Sequence, residues 1–199
     1  YPLIGYLGQI NRHDRIVMEL SSFQLDLFAP WPPETPVAAV LNFLSAGKSP
    51  HIAAILNITP NHLDRHKAME EYIAAKKQIF LHQGATDYLV LNHDDPITRR
   101  LQGEAVGHLL AFSLQEQVLC GAFLADGRIT VRIGGLETTI CHTRDLKLLG
   151  RHNIANVLAA CAIATAAGIS AESMTSVAIR FTGVEHRLEL VRTLRGVRY

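Results

Sequence analysis

Charge imbalance is the first thing this sequence lacks: 19 Lys and Arg stand against 18 Asp and Glu, a formal net charge of +1. No face basic enough to hold a nucleic acid or an anionic bilayer by charge alone is expected, so both are set aside as partners. Cysteine is scarce as well. Cys120, Cys141 and Cys161 are an odd number with no close pairing, which predicts free thiols in a reducing cytoplasm. No apolar run comes near the ~20 residues of a membrane span, and no basic-then-apolar leader opens the chain. An initiator Met is missing too. The chain starts at Tyr1-Pro2 and stops at Tyr199 inside an apparent strand, so it reads as a piece of something longer. One more absence removes a decoy. Gly47-Lys48-Ser49 looks like the tail of a phosphate-binding P-loop, but that motif needs a glycine where Asn42 stands, and Pro50 follows where a helix should open.

What is present is the composition of a packed globular chain, 48% hydrophobic and 19% charged over 199 residues. "RIVMEL" (15–20), "HIAAILNI" (51–58) and "DYLVLN" (87–92) are short apolar runs suited to buried strands. "APWPPETP" between the first two is too rich in proline for a helix or a central strand. Asn92-His93-Asp94-Asp95-Pro96 reads as a turn. Further on, "VLCGAFLA", "RITVRI" and "LETTI" are divided by Asp126-Gly127 and Gly134-Gly135, two hairpin signals that predict an antiparallel meander. A helix is expected to start near Thr59-Pro60, with a further helical run through Lys76. Another, "HNIANVLAACAIATAAG", is expected to be capped by Asn153 and ended by Gly168 in a left-handed conformation. Strands alternating with helices predict an α/β fold, a mostly parallel sheet flanked by helices with a small antiparallel meander.

Around "YIAAKKQIF" (72–80) a helical projection at about 100° per residue puts Met69, Tyr72, Ile73, Ile79 and Phe80 on one face. Lys76 falls near the middle of that apolar stripe and Lys77 at its edge. A lysine there can snorkel, burying its stem and exposing its amine. Alternatively, desolvation lowers its pKa, and the neutral amine adds carbon dioxide to become a carbamate, an oxygen ligand for a hard cation such as Mg²⁺. The second reading requires other ligands to converge. Glu19 lies near the carboxyl end of "RIVMEL", where open α/β sheets place ligand-binding groups, and a glutamate between Met18 and Leu20 is costly unless paired or metal-bound. His62 opens the helix after the next strand and is equally readable as a surface or capping histidine. His62, Asp64 and His66 form a weak i, i+2, i+4 metal pattern, since the three do not share a helical face. Ser21 and Ser22 read as turn residues or as contacts to a phosphate or hydroxyl, with no nucleophile elbow around them. Asn153 and Asn156, one turn apart, suit either a helix start or a purine ring.

Taken together and in order, "ELSSFQL" (19–25), "LNITPNHLDRH" (56–66), "YIAAK" (72–76), "GRHNIANVLAA" (150–160) and "FTGVEHRLE" (181–189) resemble the Mur ligases, the ATP-dependent amino-acid ligases of peptidoglycan precursor synthesis. "ELSSFQL" resembles the branch that joins D-glutamate to UDP-N-acetylmuramoyl-L-alanine. The resemblance implies a P-loop-NTPase-like central ATPase domain over residues 1–183, without the upstream part that carries the family's P-loop. Residues 184–199 are then the linker and first strand of a C-terminal domain. It also implies Glu19, His62 and a carbamylated Lys76 as Mg²⁺ ligands and catalytic groups, Ser21 and Gln24 facing the muramoyl substrate, and Asn153, Asn156 and Arg187 at the ATP. A monomer working in the cytoplasm is implied. Asn61 departs from the family's usual aspartate before the histidine, and residues 30–49 look like an insertion. The implied reaction runs through an acyl phosphate, and the piece alone is expected to be inactive. Two readings of other classes stand beside this one: a metal-dependent hydrolase using His62, Asp64 and His66, and a non-catalytic interaction module.

Overall fold

A computed structural model describes residues 3–32, 34, 35, 38, 47–60, 68–184, 192–195, 197 and 198. Six strands form one sheet in the order β1 (Ile52–Ile55), β2 (Tyr88–Asn92), β3 (His108–Ser113), β4 (Gly121–Ala125), β5 (Arg128–Ile133) and β6 (Leu136–His142). β1 to β4 pair in parallel, and β4 to β6 continue as the antiparallel meander. Both expected hairpins are tight turns in which every central residue has positive φ: Asp126 and Gly127 at 49° and 71°, Gly134 and Gly135 at 57° and 81°. That geometry follows the twist of the flanking strands. A second, two-stranded sheet joins β7 (Thr193–Leu194) to β8 (Val197–Arg198).

Five α-helices are described: α1 (Ser22–Leu25), α2 (Met69–Lys77), α3 (Pro96–Leu101), α4 (Arg151–Ala166) and α5 (Ala171–Arg180). Alternation along the strands sorts the core onto two faces. Leu89 and Leu91 of β2 join Ala53, Ile55, Tyr72, Phe80 and Leu101 under α2 and α3. Val90 points the other way, with Leu110, Phe112, Ala122 and Val131, into the core closed by Leu158, Ala159 and Ala162 of α4 and by Met174 and Ala178 of α5. The alanines let α4 lie close across β2, β3 and β4. It ends as the sequence predicts: Gly168 has φ +71°, its N–H donates to the Thr165 carbonyl at 2.9 Å, and the Ile169 N–H donates to the Ala164 carbonyl at 2.9 Å. These two bonds satisfy the last carbonyls of the helix in a Schellman motif.

Two expectations are corrected. "RIVMEL" is not a strand among the described residues: 14–20 run without pairing, and Ile16, Val17 and Met18 are 51%, 89% and 53% exposed. An apolar run becomes a strand only where another strand takes up its N–H and C=O groups, and β1 is the outermost strand of the described sheet. The cap of α4 is Gly150, with φ 91° and ψ 150°, rather than Asn153. Asn153 sits at the third helical position, and its Nδ2 donates backwards to the Leu149 carbonyl at 2.7 Å. The helix expected from Thr59-Pro60 falls largely on 61–67, outside the described residues. β3 is a strand the sequence reading did not single out.

Candidate active site

Four of the expected site residues come together. Glu19, Ser21, Gln24 and Lys76 line one open cleft of about 390 Å³, with Leu20, Ser22 and Tyr72 completing its wall. The short helix α1 packs on α2, and that contact brings the 19–24 stretch against the face that carries Lys76. α1 is held by a reciprocal cap: the Gln24 N–H donates to Ser21 Oγ at 3.3 Å, and the Ser21 N–H donates to Gln24 Oε1 at 2.9 Å. Ser21 Oγ also donates to that oxygen at 3.0 Å. Such a box satisfies two otherwise unpaired amides at the helix start. Ser21 and Gln24 thus shape the wall of the cleft first and present their remaining capacity to it. Ser22 is buried behind them.

α2 resolves the two neighbouring lysines. Lys77, at the edge of the stripe, ion-pairs with Glu104. Lys76 is half-buried between Tyr72 and Ala75, which are themselves buried, and its Nζ lies 5.8 Å from the centre of the Tyr72 ring. Burial pushes the Lys76 amine below the ordinary lysine range, and the Glu19 carboxylate partly offsets that shift by favouring the charged form. Glu19 itself is exposed and accepts no hydrogen bond from the described residues. Its exposure, like that of Met18, follows from the unpaired segment that carries it, so the buried setting expected for it is not observed. Tyr72 is the residue sequence reading placed only in the core. Its i, i+4 spacing to Lys76 was the available signal.

The donor set suits a hard divalent ion under one condition. A lysine ammonium beside the Glu19 carboxylate opposes binding of a divalent cation, whereas a lysine carbamate there would add anionic oxygens to those of Glu19, which are the ligands Mg²⁺ prefers. Among the described residues no three His, Cys, Asp or Glu side chains group around a common point. His62, Asp64, His66 and Arg187 lie outside the described residues. Asn153 and Asn156 do not line this cleft: Asn156 Nδ2 donates to Asn153 Oδ1 at 3.4 Å on the first turns of α4, where Asn156 is exposed. The glycine-lysine-serine decoy is a loop. Ser49 Oγ donates to the Gln78 carbonyl at 3.5 Å and accepts from the His82 N–H at 3.1 Å, tying the entry to β1 onto the end of α2.

The chain is 42% identical over 198 residues to UDP-N-acetylmuramoylalanine–D-glutamate ligase of Acetivibrio thermocellus, an alignment covering all of this chain and 38% of that relative. The same-named ligase of Clostridium acetobutylicum is 42% identical over 201 residues, with the same coverage. The chain therefore spans little more than a third of the length of these relatives. Among solved structures, UDP-N-acetylmuramoylalanyl-D-glutamyl-2,6-diaminopimelate–D-alanyl-D-alanyl ligase of Acinetobacter baumannii superposes with a TM-score of 0.57 at 21% identity, over 74% of this chain and 32% of its own. The MurF ligase of Thermotoga maritima in complex with ADP gives 0.54 at 18% identity, over 82% and 37%. Both share the fold. The family model of the Mur ligase middle domain matches residues 6–164, and the chain belongs to that family.

Proposed function

We propose that this chain is the central part of an ATP-dependent ligase that joins D-glutamate to UDP-N-acetylmuramoyl-L-alanine in the cytoplasm during peptidoglycan precursor synthesis, acting as a monomer. Residues 1–183 would be the nucleotide-handling domain, and 184–199 the linker and first strand of the next. The observation that carries the reading is the shared cleft of Glu19 and Lys76 with its desolvated amine. The identity to the D-glutamate ligases and the ADP held by a structural neighbour support it.

In the proposed reaction the carboxylate of UDP-N-acetylmuramoyl-L-alanine attacks the γ-phosphorus of ATP, the bond to the bridging oxygen breaks, and ADP leaves. The D-glutamate amine then adds to the acyl-phosphate carbon, and phosphate departs with formation of the amide and loss of a proton. Glu19, His62 and the Lys76 carbamate would hold Mg²⁺, which when bound supplies charge neutralisation between carboxylate and triphosphate. Ser21 and Gln24 would orient the muramoyl substrate at the cleft wall, and Asn153, Asn156 and Arg187 would bind the nucleotide.

Lys76→Ala in the full-length enzyme is the test. Severe loss of ligase activity, partly restored by added short carboxylates that replace the missing carbamate oxygens, is the expected result. Activity that survives the substitution, or a loss no carboxylate relieves, overturns the carbamate role.

A further inference from the structure

Two lysines end the apolar stripe of α2, and the stripe does not choose between them. Tyr72 is buried in the core under the helix, and Ile73 packs against the same core. Residues four apart are neighbours on a helix surface, so Lys76 continues the column of Tyr72 and Lys77 that of Ile73. Lys77 is the last residue of α2, and the two positions differ by about 100° around the axis. A modest rotation of the helix end would exchange one amine for the other.

Their settings nonetheless differ. Lys76 lines the cleft with Glu19, and Lys77 is not among the residues of its wall. Lys77 instead ion-pairs with Glu104, the last residue of the 3₁₀ turn Gln102–Glu104 that follows α3. The two side chains are 25% and 42% exposed, and a pair so open to water adds little to stability. Charged and polar groups that add little stability still fix one register among near-equivalents. We propose that Glu104 is a positioning residue that selects the working lysine: by engaging Lys77 it leaves Lys76 as the amine presented to Glu19. The proposal rests on the reading of Lys76 as the residue that becomes a carbamate, its nitrogen bonding to the carbon of dissolved carbon dioxide as one proton leaves.

Releasing Lys77 should then let it stand in for Lys76. In the full-length enzyme, Lys76→Ala is expected to lose activity. Lys76→Ala combined with Glu104→Gln should turn over severalfold faster than Lys76→Ala alone, and a third change, Lys77→Ala, should remove that gain. Glu104→Lys, which repels Lys77 by like charge, should produce the same gain in the same background, so the outcome does not hang on the folding of one variant. An ion pair that only stabilises the fold predicts the opposite sign, a further loss when Glu104 is replaced. No gain in either double variant, or a gain that survives Lys77→Ala, overturns the selection by Glu104. If Lys76→Ala is still relieved by added short carboxylates in that case, the reading of Lys76 stands. Lys76→Ala that keeps its activity sinks that reading and the proposal with it.

Discussion

Lys76 is placed where its chemistry depends on protonation. Its stem packs beside Tyr72 and Ala75, and burial holds its amine below the ordinary lysine range. A lysine whose pKa falls on folding surrenders its proton more readily in the folded protein, and the neutral amine is the species that adds carbon dioxide. At fixed dissolved carbon dioxide, a carbamate signal in carbon-13 NMR of the labelled full-length enzyme should therefore grow as pH rises. It should vanish in Lys76→Arg, whose guanidinium stays charged, and a signal that survives belongs to another amine. Cys161 shows the opposite effect of burial. Its thiol is pushed up to about 12 by burial first and by Cys141 second. The thiolate is the reactive form, so at neutral pH Cys161 is expected to react with a disulfide reagent far more slowly in the folded chain than in urea. Equal rates in both would contradict its burial. Lys76 was legible in the sequence because one cation interrupts a 3.6-residue apolar period. The reach of Asn92 Nδ2 to the Leu56 carbonyl, and of Asp95 Oδ2 to the Ile58 N–H, was not, because turn residues look the same whichever neighbour their second atom meets.

At the scale of elements, two glycines separate conformational strain from steric overlap. A Cβ at Gly168 meets nothing within 4 Å, and only the φ of +71° opposes it. Gly168→Ala should then cost about 1–2 kcal/mol, the usual cost of a left-handed residue with a side chain. At Gly121, φ is +126° and an added Cβ would lie 1.9 Å from the Ala111 carbonyl oxygen and 2.7 Å from its nitrogen. Those atoms belong to the β3–β4 pairing, in which Ala111 faces Gly121, so no side-chain movement can relieve the overlap. Gly121→Ala should lower the urea midpoint far more than Gly168→Ala. Equal midpoints would mean that β3 and β4 do not approach as described. In α4, Leu158 is fully buried under the sheet, and Leu158→Ala should cost about 2–5 kcal/mol. The meander and the end of α4 were readable because Asp-Gly, Gly-Gly and a terminal glycine act through local backbone preference. "RIVMEL" misled because strand formation needs a partner that no residue within the run supplies. Asn153 misled because a cap is fixed by backbone angles rather than residue type: the last non-helical residue is Gly150, three residues earlier, at a positive φ of 91° that glycine tolerates.

Across the whole molecule, the two ends of the parallel strands do different work. The carboxyl ends carry the turn that grips 56–58, as open α/β sheets place their ligand groups. The opposite ends carry ring contacts and one short hydrogen bond. His51 Nδ1 lies 2.7 Å from Asp87 Oδ1, the His51 ring meets Tyr88 edge-on at 5.5 Å, and Tyr88 stacks on His108 at 4.9 Å. Asp87 also accepts from the Gly84 N–H at 2.8 Å, which pins the loop entering β2. The Gly84 amide first, and His51 second, hold the Asp87 carboxyl below its usual 3.8. A carboxylate depressed on folding contributes stability above its unfolded pKa and loses it as pH falls through the folded one. The contribution of Asp87 should therefore be complete near neutrality and fade below pH 3.8. Urea denaturation of Asp87→Asn beside the parent chain checks this. The parent should be the more stable near pH 6, and the gap should narrow as pH falls below 3.8. A gap that stays constant across that range would mean that packing at the strand entrance, rather than the charge on Asp87, secures this end of the sheet.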